Sequence, residues 1–334
     1  MSPQAVFMFS GQGSQHLQMG RVLFDREPVF RECMMRLDAL VQDSCGQSVI
    51  DALYSSGQRA GAGFDRTLLT HPAIFMVEYS LAETLMRAGV MADIALGTSL
   101  GSFAAATVAG VVGVEDALTA VIRQARALED SCEAGGLFAV LADPALYADE
   151  CLTANSEIAA VNFSSHFVIA AQQQRLVQIE TRLRSRNVTY RRLPVSFAFH
   201  SRWIDEARVP FESSMRGIGY RAAQLPIMCC ADAALAGELR DGYFWRVIRE
   251  PMRFREAVLQ LERTGPHRYI DVGPSSTLAT FLKYILPSGS QSTIHSILTP
   301  YGHDQRNLTE LVAATRVPRA RRRSDSIEES LVHS

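Results

Sequence analysis

One serine of the chain stands in a pattern that favours nucleophilic chemistry. Ser99 lies in the G-T-S-L-G sequence of residues 97–101, between the apolar run 94–96 and an alanine-rich helical stretch. A strand, a sharp turn and a helix form the context in which G-x-S-x-G builds a nucleophile elbow, because the glycines remove side chains that would clash across the turn. The same residues also fit a glycine-flanked turn with a capping serine, and the motif alone leaves both interpretations open.

A serine hydroxyl is a weak nucleophile at neutral pH and needs a nearby base. The chain has eight histidines, and His200 differs from the others because it ends an apolar, strand-like run at a strand-to-helix junction. A base at such a junction would face a cleft. A lone histidine is more often structural than catalytic, so position alone leaves this role open.

A glycine-containing loop follows the first predicted strand. Residues 5–9 are apolar, and the S-G-Q-G-S-Q sequence of residues 10–15 comes directly after them. Two glycines after a strand indicate a tight loop with exposed backbone N–H groups. The Lys-Ser/Thr ending of a phosphate-binding loop is missing, so we do not expect phosphate binding here.

The elements that must position these residues alternate between strand and helix, which predicts a parallel, doubly wound α/β core. The predicted helices of the first part span 27–54, 72–89 (opening at Thr70, His71 and Pro72) and 114–130. After residue 132 the order becomes β-α-β-β-α-β, with helices at 144–152 and 174–186, which predicts a ferredoxin-like insert. We therefore divide the chain into a large subdomain (1–131 and 196–316), a small subdomain (132–195) and a disordered tail (317–334).

Composition excludes several classes of function. The chain has 334 residues, of which 47% are hydrophobic and 20% charged, with a net charge of −2. This balance gives no reason to expect nucleic acid or a membrane as partner. The six cysteines show no metal-ligand spacing, so we expect no metal and reduced thiols. No leader sequence or apolar span is present, and we expect a cytoplasmic protein.

Four motifs in chain order resemble one family. They are the loop at 11–15, the elbow, A-F-H-S at 198–201 and V-G-P at 272–274. Together they resemble the malonyl-CoA:acyl-carrier-protein transacylases and the acyltransferase domains of polyketide synthases, over about residues 5–315. The resemblance implies a hydrolase-like parallel-sheet core with an inserted ferredoxin-like subdomain.

The resemblance also implies roles for individual residues. Ser99 would be the nucleophile and His200 the general base, and the backbone N–H groups of Gln12 and Leu100 would form the oxyanion hole. The family orients its histidine with a backbone carbonyl, which we expect from the turn at 273–275. The substrate-binding residues that the resemblance implies are Gln124, His71, Thr98, Phe199 and Asn162.

Departures from the family pattern carry the most information about substrate. The arginine that binds the malonyl carboxylate in the family falls on Gln124, and the neighbouring Arg123 points about 100° away on the helix and is expected at the solvated surface. Thr98 replaces the usual histidine, Ser102 the usual glutamate and His71 the usual glutamine. Because glutamine lacks the charge of a guanidinium, we expect acyl groups with no distal carboxylate.

In this respect the chain resembles the stand-alone acyl hydrolases of trans-acyltransferase polyketide synthases. We expect an acyl hydrolase that removes short acyl groups from acyl-carrier-protein thioesters, a proofreading role, through an acyl-Ser99 intermediate. One alternative is a malonyl- or acyl-CoA:acyl-carrier-protein transacylase, and another is an inactive homologue that docks on a synthase. No cofactor is expected, because the substrate is carried on the phosphopantetheine of the partner, an acyl carrier protein domain of a polyketide synthase.

Overall fold

The computed structural model describes residues 3–55, 64, 66–239 and 241–316. The predicted tail from residue 317 lies outside the described residues. Within them the strands are β1 (Gln4–Phe9), β2 (Ile94–Gly97), β3 (Gly135–Leu141), β4 (Glu157–Phe163), β5 (His166–Gln172), β6 (Thr189–Arg192), β7 (Ile227–Cys229), β8 (Ala234–Ala236), β9 (His267–Asp271) and β10 (Thr293–Ser296).

The α-helices are α1 (Arg21–Arg26), α2 (Pro28–Cys45), α3 (Val49–Tyr54), α4 (Thr67–Arg87), α5 (Gly101–Val108), α6 (Val114–Ser131), α7 (Glu150–Asn155), α8 (Gln173–Ser185), α9 (Arg208–Ser214), α10 (Tyr243–Arg249), α11 (Phe254–Glu262), α12 (Thr277–Ile285) and α13 (Asp304–Arg316). Short 3₁₀ helices span Pro144–Ala148 and Arg202–Ala207. Among the helices described, none combines the length and the apolar character that a membrane span requires.

The large sheet has the strand order β10-β9-β1-β2-β7-β8. Its first five strands are parallel, as predicted, and β8 adds an antiparallel edge to β7. Strand β1 lies between β2 and β9, with Phe9 opposite Gly97 and Met8 opposite Asp271. Because parallel strands end at one edge, the loops after β1, β2 and β9 meet there, at the position where open α/β sheets bind ligands.

Strand β1 is buried on both faces, as parallel strands between helical layers usually are. Phe7 and Phe9 pack in the core that contains α4, while Val6 and Met8 face the core formed with α11 and α12. Alternate side chains of one strand thus join two cores. Packing on both faces therefore holds the end of β1, where the loop begins, in place.

The small sheet is antiparallel, with the order β4-β5-β3-β6, and α7 and α8 cover one of its faces. This order and the β-α-β-β-α-β succession confirm the ferredoxin-like insert. Its other face turns Leu137 and Val168 toward the large sheet's core. The sheet lies within the range predicted for the small subdomain, whose limits at 132 and 195 stay a prediction.

Three predicted helices have different bounds. The helix expected at 27–54 is divided into α2 and α3, because Gly46 ends α2 in a left-handed conformation (φ 68°) and the Ser48 side chain accepts the Asp51 N–H to start α3. The prediction for 144–152 was also wrong. A 3₁₀ turn occupies its first half, and the Asp149 side chain caps the separate helix α7.

Helix α4 begins at Thr67, earlier than predicted, and takes Pro72 into its sixth position. The N–H of Thr70 already bonds the Arg66 carbonyl, so the helix is formed before the proline is reached. The early start gives α4 an additional turn beside the β1 loop. Helices α10 and α11 lie on either side of Pro251.

Candidate active site

Ser99 occupies the turn between β2 and α5 with a φ of 51°, a left-handed conformation that costs a non-glycine residue on the order of 1 kcal/mol. The flanking glycines make this turn possible. A Cβ on Gly97 would lie 2.5 Å from the Ser102 Cα, and one on Gly101 would overlap the Phe9 carbonyl. The geometry is that of a nucleophile elbow, with Ser99 at its apex.

His200 lies against this serine. Its Nε2 is 2.8 Å from the Ser99 Oγ and its Nδ1 is 2.7 Å from the Glu250 carbonyl oxygen. Because a carbonyl only accepts, Nδ1 carries the proton, and Nε2 is left to accept the proton of the Ser99 hydroxyl. The predicted source of the orienting carbonyl, the turn at 273–275, was wrong. Glu250, which follows α10, supplies it, while Gly273 packs against Ser10.

The ring of His200 is neutral in this position. Burial lowers its pKa to about 4; the bond to the Glu250 carbonyl opposes this shift, and the Arg249 guanidinium adds to it. The backbone N–H of His200 bonds the Ile248 carbonyl at 3.0 Å, so the end of α10 holds both the backbone and the ring. At neutral pH the pair can transfer a proton from serine to imidazole.

Two backbone N–H groups beside Ser99 are available to an oxyanion. A Cβ on Gly11 would lie only 2.8 Å from the Ser99 Cβ, so the loop after β1 touches the elbow. Within the described parts of the chain, the N–H groups of Gln12 and Leu100 donate to no protein acceptor. The structure therefore brings both predicted donors next to the serine, with their hydrogens free.

A cavity of about 130 Å³ opens beside Ser99 and His200, between the two sheets. Its walls are mostly apolar and come from both subdomains: Leu137, Ala139, Val168 and Leu193 on one side, and Phe199, Met252, Phe254, Leu278 and Phe281 on the other. The volume resembles the roughly 150 Å³ apolar cavity that holds a benzene molecule. A short acyl chain fits such a space.

Two of the predicted substrate-binding polar residues line this cavity and are already hydrogen-bonded to protein. The Thr98 hydroxyl donates to the Phe9 carbonyl at 3.2 Å. The Asn162 Nδ2 donates to the Nδ1 of His166 at 3.0 Å. His166 also lines the cavity, between the rings of Phe163 and Phe281 at 5.1 and 5.2 Å. Burial lowers the pKa of His166 and favours its neutral form.

Sequence reasoning did not assign His166 to the site. The available signal was its spacing, because Asn162 and His166 flank one hairpin turn of the insert, between β4 and β5. The third predicted residue on the cavity wall, Phe199, contributes its ring directly.

The other two predicted residues, Gln124 and His71, are not among the described side chains that line the cavity. The Nε2 of His71 is 2.7 Å from the Gln12 Oε1, and its ring lies 5.5 Å from that of Phe199. Burial lowers the pKa of His71 to about 3, with the adjacent Gln124 amide opposing the shift. His71 thus anchors Gln12 behind Phe199, and substrate contact for His71 and Gln124 stays a prediction.

Gln124 is buried, with 1% of its surface exposed, and neither amide atom has a hydrogen-bond partner among the described residues. The adjacent Arg123 is partly buried, and its guanidinium donates to the Ser214 carbonyl. The expectation that Arg123 is a solvated surface residue was therefore wrong, because α9 supplies a carbonyl for it. Arg123 does not reach the cavity.

The sequence model of the acyl transferase domain matches residues 6–323. The chain is 41% identical to the polyketide biosynthesis acyltransferase homolog BaeD of Bacillus velezensis, over 96% of this chain and 100% of that protein. It is 40% identical to the polyketide biosynthesis acyltransferase homolog PksD of Bacillus subtilis, over 92% of this chain and 95% of that protein. These relatives are matched along nearly their whole length.

Solved structures share the fold. A loading acyltransferase from the avermectin modular polyketide synthase superposes with a TM-score of 0.85 at 27% identity, covering 93% of this chain and 99% of that one. The malonyl-CoA acyl-carrier-protein transacylase (MCAT) of Streptococcus pneumoniae superposes with a TM-score of 0.77 at 23% identity, covering 93% and 100%. At that identity the second likeness concerns the fold alone.

Proposed function

The chain belongs to the acyl transferase domain family, and on that basis we propose that it hydrolyses short acyl groups from acyl-carrier-protein thioesters. The observation that carries the proposal is the 2.8 Å contact between Ser99 and His200 at an apolar cavity with no arginine or lysine among its described lining residues. The contact supplies a nucleophile and a base. The lining defines which acyl groups fit.

The first half of the reaction forms an acyl-serine. His200 Nε2 takes the hydroxyl proton while the Ser99 Oγ attacks the thioester carbonyl. The tetrahedral oxyanion accepts hydrogen bonds from the N–H groups of Gln12 and Leu100. When the intermediate collapses, the C–S bond breaks and His200 returns its proton to the leaving thiol. The thiol belongs to the phosphopantetheine arm of the carrier protein, and the proposed reaction draws on no other cofactor.

The second half releases the acid. A water molecule takes the position of the thiol, gives a proton to the Nε2 of His200 and attacks the acyl-serine carbonyl. The same two N–H groups hold the second oxyanion. The C–O bond to Ser99 then breaks, the serine oxygen regains the proton from His200, and a free carboxylic acid leaves.

The lining of the cavity favours acyl groups without a second carboxylate. A malonyl group would bring a negative charge into apolar surroundings, and burial of an unpaired carboxylate costs several kcal/mol. The residue in the family's arginine position, Gln124, is neutral. An acetyl or propionyl group carries no such charge and fits the small volume. We expect the enzyme to act in the cytoplasm, where it would clear blocked carrier proteins of a polyketide synthase.

A transacylase is the second candidate, because BaeD and PksD are named acyltransferase homologs and a transferase would use the same acyl-serine. An inactive docking homologue is the third, and the intact contact between Ser99 and His200 argues against it.

One experiment separates the three candidates. Acetyl-loaded carrier protein, malonyl-loaded carrier protein and an unloaded carrier protein of different mass are incubated with the enzyme and weighed by intact-mass spectrometry, with S99A as the matched control. Hydrolysis predicts that the acetyl group disappears and that the unloaded carrier gains nothing. Transfer of malonyl to the second carrier would instead establish the transacylase, and unchanged masses with both substrates would establish the inactive homologue.

A further inference from the structure

Helix α4 carries a buried acid that the proposed reaction does not use. Glu78 has 0% exposed surface and stands seven residues after His71, two helical turns away and so on the same face. Its Oε1 is 2.7 Å from the Ser10 N and 2.8 Å from the Ser10 Oγ. Its Oε2 has no partner among the residues that the structure describes. His71 bonds the Gln12 side chain and Glu78 bonds Ser10, so one face of α4 holds both ends of the loop at 10–12.

The hydrogen bonds of Ser10 continue toward the oxyanion hole. The Ser10 Oγ is 2.9 Å from the Ser14 Oγ, which is 2.8 Å from the Gly11 carbonyl oxygen. The Gly11 carbonyl belongs to the peptide group whose N–H is that of Gln12. The chain of contacts thus runs from the Glu78 carboxyl to the peptide that supplies the proposed oxyanion donor.

Counting hydrogens along this chain determines the state of the acid. The chain has three oxygen–oxygen contacts, from Gly11 O to Ser14, from Ser14 to Ser10 and from Ser10 to Glu78. A carbonyl supplies no hydrogen, and each serine hydroxyl supplies one. The Ser14 hydrogen points at the Gly11 carbonyl and the Ser10 hydrogen at Ser14. For all three contacts to be hydrogen bonds, the hydrogen between the Ser10 Oγ and the Glu78 Oε1 must belong to a protonated Glu78.

We propose that Glu78 is a neutral carboxylic acid and that its proton fixes the loop after β1 so that the Gln12 N–H points at the oxyanion. This inference rests on the proposed function for the reaction it assists. Glu78 is a positioning residue, since it acts through Ser10 and Ser14. Gly273 also packs closely against Ser10, since a Cβ at residue 273 would lie only 2.9 Å from the Ser10 Cβ.

The surroundings of Glu78 favour the neutral form. Burial raises its pKa well above the usual range, and the nearby Asp271 on β9 raises it further, while the bond from the Ser10 N–H opposes the shift. Asp271 is itself bonded to the N–H groups of Gly273 and Ala279 and has a pKa of about 6, raised by burial. It is the titratable group that faces Glu78. In the described part of the chain no positive group pairs with either acid.

The test compares E78Q with E78A. A glutamine is neutral and nearly the same size, and its carbonyl oxygen in the place of Oε1 still accepts the Ser10 N–H, so it approximates the neutral acid. We expect E78A to lower kcat for an activated acetyl ester about 10-fold to 100-fold with little change in KM, because one oxyanion donor is misplaced. We expect E78Q to recover most of that loss. If E78Q is as slow as E78A while its melting temperature matches wild type, the proposal is wrong.

A second readout is independent of turnover. The folded chain keeps a proton that unfolded Glu78 releases above its ordinary pKa of 4.5, so stability falls as pH rises above that value. E78Q has no such proton to keep. Its melting temperature minus that of wild type should therefore grow from about pH 5 to about pH 8. A difference that stays constant over this range would mean that Glu78 is ionised in the folded chain, and would overturn the proposal.

S14A keeps the experiment decisive if E78A does not fold. It removes the link between Ser10 and the Gly11 carbonyl and leaves Glu78 in place, so it should lower kcat as E78A does. Wild-type kcat in S14A would contradict the positioning role. Failure of the proposed function appears differently, as wild type that cleaves no acyl ester or thioester, and the melting experiment still reports on Glu78.

Discussion

The Nδ1 of His200 donates its hydrogen bond to the backbone carbonyl of Glu250 at 2.7 Å, where many serine enzymes place an aspartate. A carbonyl fixes the ring and its tautomer as an aspartate does, yet it brings no negative charge. The ring is therefore easier to keep neutral and harder to protonate, in agreement with a pKa of about 4. An uncharged partner also keeps the buried site free of an unpaired carboxylate.

This arrangement predicts the pH dependence of the reaction. A lowered pKa means that the neutral, basic form of His200 persists to more acidic pH than a free histidine would allow, and that it is lost as pH falls through about 4. We expect kcat/KM for a neutral ester to stay level from about pH 8 to about pH 5 and to fall below that range. Circular dichroism at each pH controls for unfolding. An acid limb near the unperturbed value of about 6.5 would show that the ring is not buried in the working enzyme.

Replacement of His200 by alanine removes the base and leaves the serine hydroxyl without an acceptor. We expect turnover to fall by about 10²–10⁴-fold, with the melting temperature recorded as a control for folding. Turnover at the wild-type level would make another histidine the base, and His166, which lines the same cavity, would be the first to test.

Ser99→Ala should abolish both the acyl-enzyme and turnover, because nothing else at the elbow can form the ester. The measurement is intact-mass spectrometry after brief incubation with an acetyl thioester, followed by peptide mapping of the adduct. Wild type should carry one acetyl group on Ser99 and the variant none. An adduct on Ser14 or on a cysteine would place the nucleophile elsewhere.

The contact between the loop after β1 and the Ser99 elbow can be tested by comparing a crowded glycine, Gly11, with an uncrowded one, Gly237. A Cβ on Gly11 would lie 2.8 Å from the Ser99 Cβ, whereas a Cβ on Gly237 would meet no atom within 4 Å. We expect G11A to lower kcat by on the order of 100-fold by displacing the serine or the Gln12 N–H, as loss of one oxyanion donor does. G237A should leave kcat unchanged. Equal activity in both variants would contradict the proposed oxyanion hole.

Much of the fold could be predicted because it follows from repeating patterns. The elbow needed only a strand, two glycines and a helix, and the insert showed its order of strands and helices. The Glu250 carbonyl could not be predicted, because every residue has a carbonyl and only the bend after α10 directs this one at His200. The role of Glu78 could not be predicted either, because it stands in a helix whose other residues are mostly apolar. Its proposed protonation depends on three hydrogen-bond contacts between residues that are distant in sequence or lie in an irregular loop.

The choice of acyl group is best tested at Gln124. If this residue explains a preference against malonyl, wild type should cleave acetyl or propionyl thioesters well and malonyl thioesters poorly, and Q124R should shift the ratio toward malonyl. The gain is limited to a few kcal/mol, the value of one charged pair in a partly buried site. The structure adds a condition, because Gln124 does not line the cavity. Phe199 lines it instead, and its ring packs against His71, which lies next to Gln124.

We therefore expect Q124R alone to give a small shift and Q124R combined with F199A to give a larger one, because removal of the ring opens a path to the guanidinium. F199A alone is the control for added volume: it should admit longer acyl chains without favouring malonyl. The measurement is the ratio of kcat/KM for malonyl and acetyl carrier protein in all four proteins. A clamped malonyl group should also prolong the acyl-enzyme, since it holds the ester carbonyl away from water. The explanation fails if wild type already loads malonyl faster than acetyl, for then a residue other than Gln124 binds the carboxylate.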